Sequence, residues 1–206
     1  MLSNLSVVYS DTGDFTKAEQ VLQEALPLSQ QLSNRQLEKS LLTKFLMLEK
    51  GRGNLSRALE YGERALAVEV RRGVDPNSKP MQQITLELQY QLGMVYAEIG
   101  QHAQAIASYQ VALQIAREFR IPQLQAFVLG EMAWSQFKLG DAAKAHETAT
   151  QSLAALRQGG GNKHFESRVL FIRAEAERAR SDATRQRAAL LRLLGVTGSH
   201  DDATLT

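Results

Sequence analysis

The sequence contains no cysteine. That absence removes disulfides, thiolate nucleophiles and cysteine-bound zinc or iron–sulfur centres together, and it fits a reducing compartment, so a cytoplasmic location is the expectation. An excess of charge of one sign is also lacking: 24 lysines and arginines stand against 22 aspartates and glutamates, a formal net charge of +2. With no global field to steer polyanions, neither nucleic acid nor an anionic membrane surface is expected as a partner. No window reaches the roughly 20 apolar residues that a membrane span needs, and residues 1–14 show no basic lead into an apolar run of the kind that directs export. Proline is scarce, at positions 27, 76, 80 and 122. Three of these fall in connections or at a helix start, whereas Pro27 interrupts a helical pattern, where its missing N–H predicts a kink or a local break.

Patterns that carry chemistry are missing as well. The histidines at 102, 146, 164 and 200 form no His-x-x-x-His or His-Glu-x-x-His spacing, which would set two ligands on one helical face, so no metal site is expected. His200-Asp201-Asp202 offers ligand-type side chains without an ordered scaffold to fix a coordination geometry. Gly159-Gly160-Gly161-Asn162-Lys163 lacks the phosphate-loop spacing and joins two helical patterns, where that loop must follow a strand. It is expected to be a connector. With no G-x-S-x-G element either, the chain is expected to be neither an enzyme nor a cofactor carrier.

What is present is an internal repeat. Aligned on Gly13, Gly53, Gly100 and Gly140, the chain places Asp14, Asn54, Gln101 and Asp141 next, and Ala18, Ala58, Ala105 and Ala145 five residues on. Twelve past each glycine stand Ala25, Ala65, Ala112 and Ser152, followed by Leu26, Leu66, Leu113 and Leu153. Upstream, a large residue (Leu5, Phe45, Leu92, Met132) precedes a mostly small one (Ser6, Leu46, Gly93, Ala133). This is the signature of antiparallel helix pairs. Glycine takes a left-handed turn position, Asp14, Asn54 or Asp141 caps the next helix, and small residues mark where two backbones come close.

Leu92, Gly93, Tyr96, Ala105, Tyr109, Ala112 and Leu113 follow the L-G-x-x-Y, A, F/Y-x-x-A-L pattern, and the chain therefore resembles the tetratricopeptide repeat family. The first repeat keeps Leu5, Tyr9, Ala18, Ala25 and Leu26, while the second and fourth have Glu49 and Gln136 in place of the tyrosine. The resemblance implies an all-α, right-handed superhelical solenoid of antiparallel helix pairs, with four clear repeats. Turn glycines lie 40, 47 and 40 residues apart, against 34 for the basic repeat. The excess extends each helix by roughly 4 to 5 Å, resembling kinesin light chain and bacterial regulators of the same family. The longer interval holds Val74 to Pro80, read as an exposed insertion.

A degenerate fifth pair runs from about Phe165 to Leu194, with Ser181-Asp182 at its turn and Val169, Ile172, Leu190, Leu193 and Leu194 at helical spacing. Its arginines alternate with acidic residues and read as the solvated outer face of a terminal repeat. Residues 196–206 have no apolar period and read as a flexible tail after a repeat domain spanning 1–195. The first repeat starts close to Met1, so a second copy could cover the N-terminal end.

In the family that this chain resembles, first helices line a concave groove that binds protein or peptide partners. The resemblance places Met47, Tyr90, Met94, Phe127, Trp134 and Phe137 at outward positions of those helices. Tyr90 and Met94 are four apart, and Phe127, Trp134 and Phe137 share a face, with Gly130 leaving room above the backbone. Such an aromatic and thioether surface accepts an amphipathic helix or an extended segment. The competing reading packs these rings between repeats as core. The family's carboxylate clamp, which needs Lys and Asn at the outward positions, is absent. The expected function is a protein- or peptide-binding module within a larger regulatory or signalling protein. The alternative is a sensor domain that binds a short peptide or small molecule.

Overall fold

The repeat register becomes eight helices in the computed structural model, which describes residues 9, 14–68, 78–159 and 163–193. They are α1 (Phe15–Gln31), α2 (Arg35–Gly51), α3 (Leu55–Ala67), α4 (Lys79–Glu98), α5 (His102–Glu118), α6 (Pro122–Lys138), α7 (Ala142–Gly159) and α8 (Lys163–Leu193). Each helix packs on the next, and the first helices α2, α4, α6 and α8 also touch one another in series. The result is a tetratricopeptide-type solenoid whose first helices share one side. Several expectations lie outside the described residues: the first helix of the first repeat with Leu5 and Gly13, the connection over 69–77, Gly160 to Asn162, and the tail with His200.

The turns explain why glycine recurs. Gly53, Gly100 and Gly140 sit at φ of +79°, +80° and +83°, a left-handed conformation that costs other residues about 1–2 kcal/mol. In each turn the next residue's N–H reaches back to close the helix: Asn54 to Glu49 O at 2.8 Å, Gln101 to Tyr96 O at 2.8 Å, Asp141 to Gln136 O at 3.0 Å. These are Schellman closures, which satisfy carbonyls that a helix end otherwise orphans. Between repeats the same closure is made without glycine, at Ser33 (φ +52°) and Arg120 (φ +54°).

Packing follows the small-residue columns. Ala18, Ala58, Ala105 and Ala145 are all fully buried, and so are Ala65, Ala112 and Ser152. Ser152 replaces alanine because its hydroxyl donates to Ala126 O at 2.7 Å, tying α7 to α6. Large partners such as Phe45, Leu92 and Met132 fill the space between. Glu49, in the tyrosine column, is buried and held by Arg52 at 3.0 Å and Asn54 Nδ2 at 2.8 Å.

Four local expectations are corrected. The local break at Pro27 does not occur, and α1 runs on through it; Pro27 and Gln23, whose carbonyl loses its helical donor, are both exposed, so that carbonyl is open to solvent. Asn54 makes no side-chain cap, because its amide is drawn to Glu49. Asp14 and Asp141 do cap, at 3.2 and 3.1 Å, and Asn34 caps as well at 3.0 Å. Lys79 and Pro80 belong to the first turn of α4, where proline's missing N–H costs nothing. The fifth unit is one continuous helix of 31 residues. Ser181-Asp182 contains no glycine to turn the chain, and the following Ala183, Gln186, Arg187 and Ala188 favour helix.

Candidate functional site

Three first helices each turn one stripe towards a common space. On α4 the stripe is Met94, Ala97 and Glu98; on α6, Glu131 and Trp134; on α8, Arg168, Phe171 and Ile172. Spacings of three and four put each set on one helical face. Together with Tyr109 from α5 they enclose a cavity of about 410 Å³.

Tyr109 is the floor. It is fully buried, and it fits because residue 93 is glycine: a Cβ there would stand 2.4 Å from Tyr109 Cε1. Tyr90 lies beside it, ring centroids 6.3 Å apart. The Tyr109 hydroxyl has no hydrogen-bond partner in the protein. Burial pushes its pKa far above the ordinary phenol value, with Tyr90 adding to the rise and Arg168 opposing it. It therefore remains an O–H group, able to donate and to accept.

Trp134 forms a wall, backed by Phe137 at 6.0 Å and by Lys138 Nζ 4.5 Å from the ring centre. Met94 forms another; its sulfur is 3.5 Å from Lys50 Nζ, which also donates to Gln91. Burial lowers the Lys50 pKa, while Glu98 and Glu87 work the other way. At the rim Arg168 pairs with Glu131 and lies 5.2 Å from the Phe165 ring centre. Phe171 is 58% exposed.

Of the six residues expected to form a groove, Met94 and Trp134 line this cavity. Tyr90 abuts its floor and Phe137 backs its wall. Phe127 does not join them: it meets Phe165 of α8 edge-on at 4.6 Å. The room above Gly130 is filled, since a Cβ there would lie 2.6 Å from Phe165 and 3.0 Å from Val169. Met47 lines a separate space of about 320 Å³ between α2 and α4, with Lys44, Gln83 and Glu87. Burial lowers the Lys44 pKa, and Glu87 opposes the shift.

Glu98, Glu131, Arg168, Phe171 and Ile172 were not among the expected site residues. Those of α8 carried a signal, a three-and-four spacing at Arg168, Phe171 and Ile172, but without a turn glycine the last repeat had no register to aim them. Among the described residues no three histidine, aspartate or glutamate side chains gather as metal ligands, and no helix is long and apolar enough to cross a membrane.

A stack of helix pairs with glycine turns, alanine contacts and a lined first-helix face defines a repeat protein of the interaction class. The tetratricopeptide repeat model matches residues 1–68 and 84–158, and the chain belongs to that family. Among solved structures it is similar to BtubC (BKLC) from P. vanneervenii, with TM-score 0.74 and 21% identity, covering 100% of this chain and 83% of that one. It is also similar to the kinesin light chain-like repeat protein of Podosopora anserina, with TM-score 0.68 and 15% identity, covering 98% and 96%. A third is the Pyrococcus horikoshii STAND protein with a tetratricopeptide repeat sensor, with TM-score 0.66 and 20% identity, covering 89% of this chain and 29% of that one. These identities speak for the fold. A search of curated proteins gives no significant match.

Proposed function

We propose that the chain is a non-catalytic, cytoplasmic module that binds a protein or peptide partner across the side formed by α2, α4, α6 and the first half of α8. The repeat domain spans 1–195, with 196–206 as a tail, inside a regulatory or signalling assembly. The observation that carries this reading is the α4–α6–α8 cavity, in which aromatic and thioether walls surround a few polar groups. That is the lining by which apolar anchors of a partner are held.

The test is affinity capture followed by reconstitution with the purified partner. Trp134→Ala is expected to weaken the complex at least about tenfold, as loss of a central aromatic anchor does. Gln151→Ala, on the exposed face of α7, should bind as the wild type does. Equal binding by both variants contradicts the reading.

A sensor of a short peptide or small molecule is the second reading. The space of about 410 Å³, of a size for one small ligand, favours it, and the similar Pyrococcus protein carries a tetratricopeptide repeat sensor. A small ligand that binds saturably and raises the melting temperature, with the rise growing as the logarithm of ligand concentration above Kd, would select this reading over a protein complex.

A further inference from the structure

We infer that the second half of α8 is a strap poised to close: the helix opens at Ser181-Asp182, and residues 183–193 fold back over its first half as the second helix that the fifth unit lacks. The continuous helix is the open form. This goes beyond the reading above and does not depend on it.

The turn chemistry is already in the chain. Glu177, Arg180, Ser181, Asp182 and Arg185 stand at the spacing of Glu49, Arg52, Gly53, Asn54 and Arg57, the residues that turn the chain between α2 and α3. Ser181 also comes as far after Lys163, where α8 begins, as Gly53 comes after Arg35 and Gly140 after Pro122, where α2 and α6 begin. In the second repeat Glu49 holds Arg52 at 3.0 Å and Arg57 at 3.7 Å. In the open α8 Glu177 holds Arg180 at 3.3 Å, while Arg185, about 12 Å further along the axis, pairs with Asp182 at 3.7 Å. Folding back brings Arg185 to Glu177. Serine is no obstacle to the turn: Ser33 takes the left-handed conformation at φ +52°, and Asn34 after it caps α2 at 3.0 Å. Ser181 and Asp182 can take the same two roles, and Asp14 and Asp141 already cap with the same carboxylate.

The faces that closure joins are complementary, and both are open. Seven residues before the turn position and nine after it, the two helices of a pair meet, large opposite small: Leu46 on Gly62, Tyr109 on Gly93. In α8 these positions hold Ala174 and Leu190. Both are exposed, Leu190 at 58%. Leu170 is exposed as well, whereas its counterpart Leu42 is buried in one cluster with Ala58 and Ala65 of α3. The open helix avoids the turn but leaves these leucines in water; closure buries them and accepts a left-handed serine. These opposing terms are of similar size, so both forms are within reach of one another. Closure also backs the α8 wall from which Phe171 and Ile172 line the cavity.

The chain has no cysteine, so Lys163→Cys combined with Arg192→Cys carries one pair of spin labels. Continuous helix separates the two positions by about 44 Å; the closed form brings them to roughly 16 Å, across helices packed side by side. Pulsed electron spin resonance is expected to show the short separation beside the long one. Ser181→Gly, which favours the left-handed turn and weakens the helix, should raise the ratio of short to long about tenfold. Leu190→Asp should abolish the short separation and leave the unfolding transition of the stack in place. The inference is overturned if the labelled chain and its Ser181→Gly variant both show the long separation alone, or if the short one survives Leu190→Asp. It also falls if the short separation vanishes on dilution with excess unlabelled chain, since the contact would then lie between two copies.

Discussion

The two spaces on the first-helix side differ although they come from the same repeat. Between α2 and α4 the lining mixes Met47, Pro80 and Ile84 with lysine, glutamine, serine, threonine and glutamate, whereas between α4, α6 and α8 it is mostly apolar above a tyrosine floor. The cause lies behind the face. Seven residues before the turn glycine the second repeat has Leu46 and the third Gly93; nine after it they have Gly62 and Tyr109. Large and small residues have changed places between the two helices of the pair, a swap that roughly conserves volume. In the second repeat the leucine fills the gap, and a Cβ on Gly62 would lie 2.9 Å from Leu46. In the third the tyrosine fills it and lies beneath the cavity. Equivalent backbones thus yield one groove of mixed lining and one aromatic pocket.

The largest effect should come from undoing that exchange. Gly93→Ala sets a Cβ 2.4 Å from the Tyr109 ring, and overpacking of this kind costs about 1–3 kcal/mol, measurable by denaturant unfolding. Gly62→Ala meets Leu92 Cδ2 at the same 2.4 Å, but a leucine methyl can rotate away and a ring wedged on a backbone cannot. The third repeat should therefore suffer more. Equal losses would dissolve the contrast.

Trp134→Ala comes next. The ring is half-buried against Phe137, so a loss of about 1–2 kcal/mol is expected by the same unfolding measurement, below the roughly 3–5 of a fully buried tryptophan. A loss in the higher range would make the ring a core residue rather than a wall.

How much of this was legible from residues alone depends on how local the cause is. The turns were, because a left-handed backbone selects glycine within one helix end. The alanine columns were, because close helix contact repeats at fixed spacing. Met94 and Trp134 were placed by the same register. The continuity of α8 was not, since a serine–aspartate pair is compatible with both a turn and a helix. A separate miss concerns the first half of α8, where no turn glycine gave a register to aim the side chains: Phe127 and Gly130 are covered by Phe165, and Arg168, Phe171 and Ile172 line the cavity. Tyr109 stood in the motif, yet its orphaned hydroxyl depends on what three other helices bring near it.

Smaller effects sharpen the comparison between the two kinds of turn. Arg120→Gly relieves a left-handed arginine at an exposed position (φ +54°) and should stabilise by roughly 0.5 kcal/mol, the relief of strain less the entropy glycine adds to the unfolded chain. A rise in melting temperature checks it. The smallest effect concerns the cap. Hydrogen bonds from the Lys144 side chain and backbone hold the Asp141 carboxyl below the ordinary carboxylate range. Its contribution is therefore present above that range and lost as pH falls through the lowered value. Asp141→Asn keeps an acceptor and removes the titration, so the stability difference from the wild type should shrink on acidification.

The claim that a partner lies across the first helices is tested most directly by oxidative footprinting of the reconstituted complex. Met94 and Trp134 oxidise readily and both line the cavity. The account predicts that the partner protects both, while Tyr61 of α3, on the second-helix side, reacts as in the free protein. Unchanged oxidation of Met94 and Trp134, together with protection of Tyr61, would contradict it.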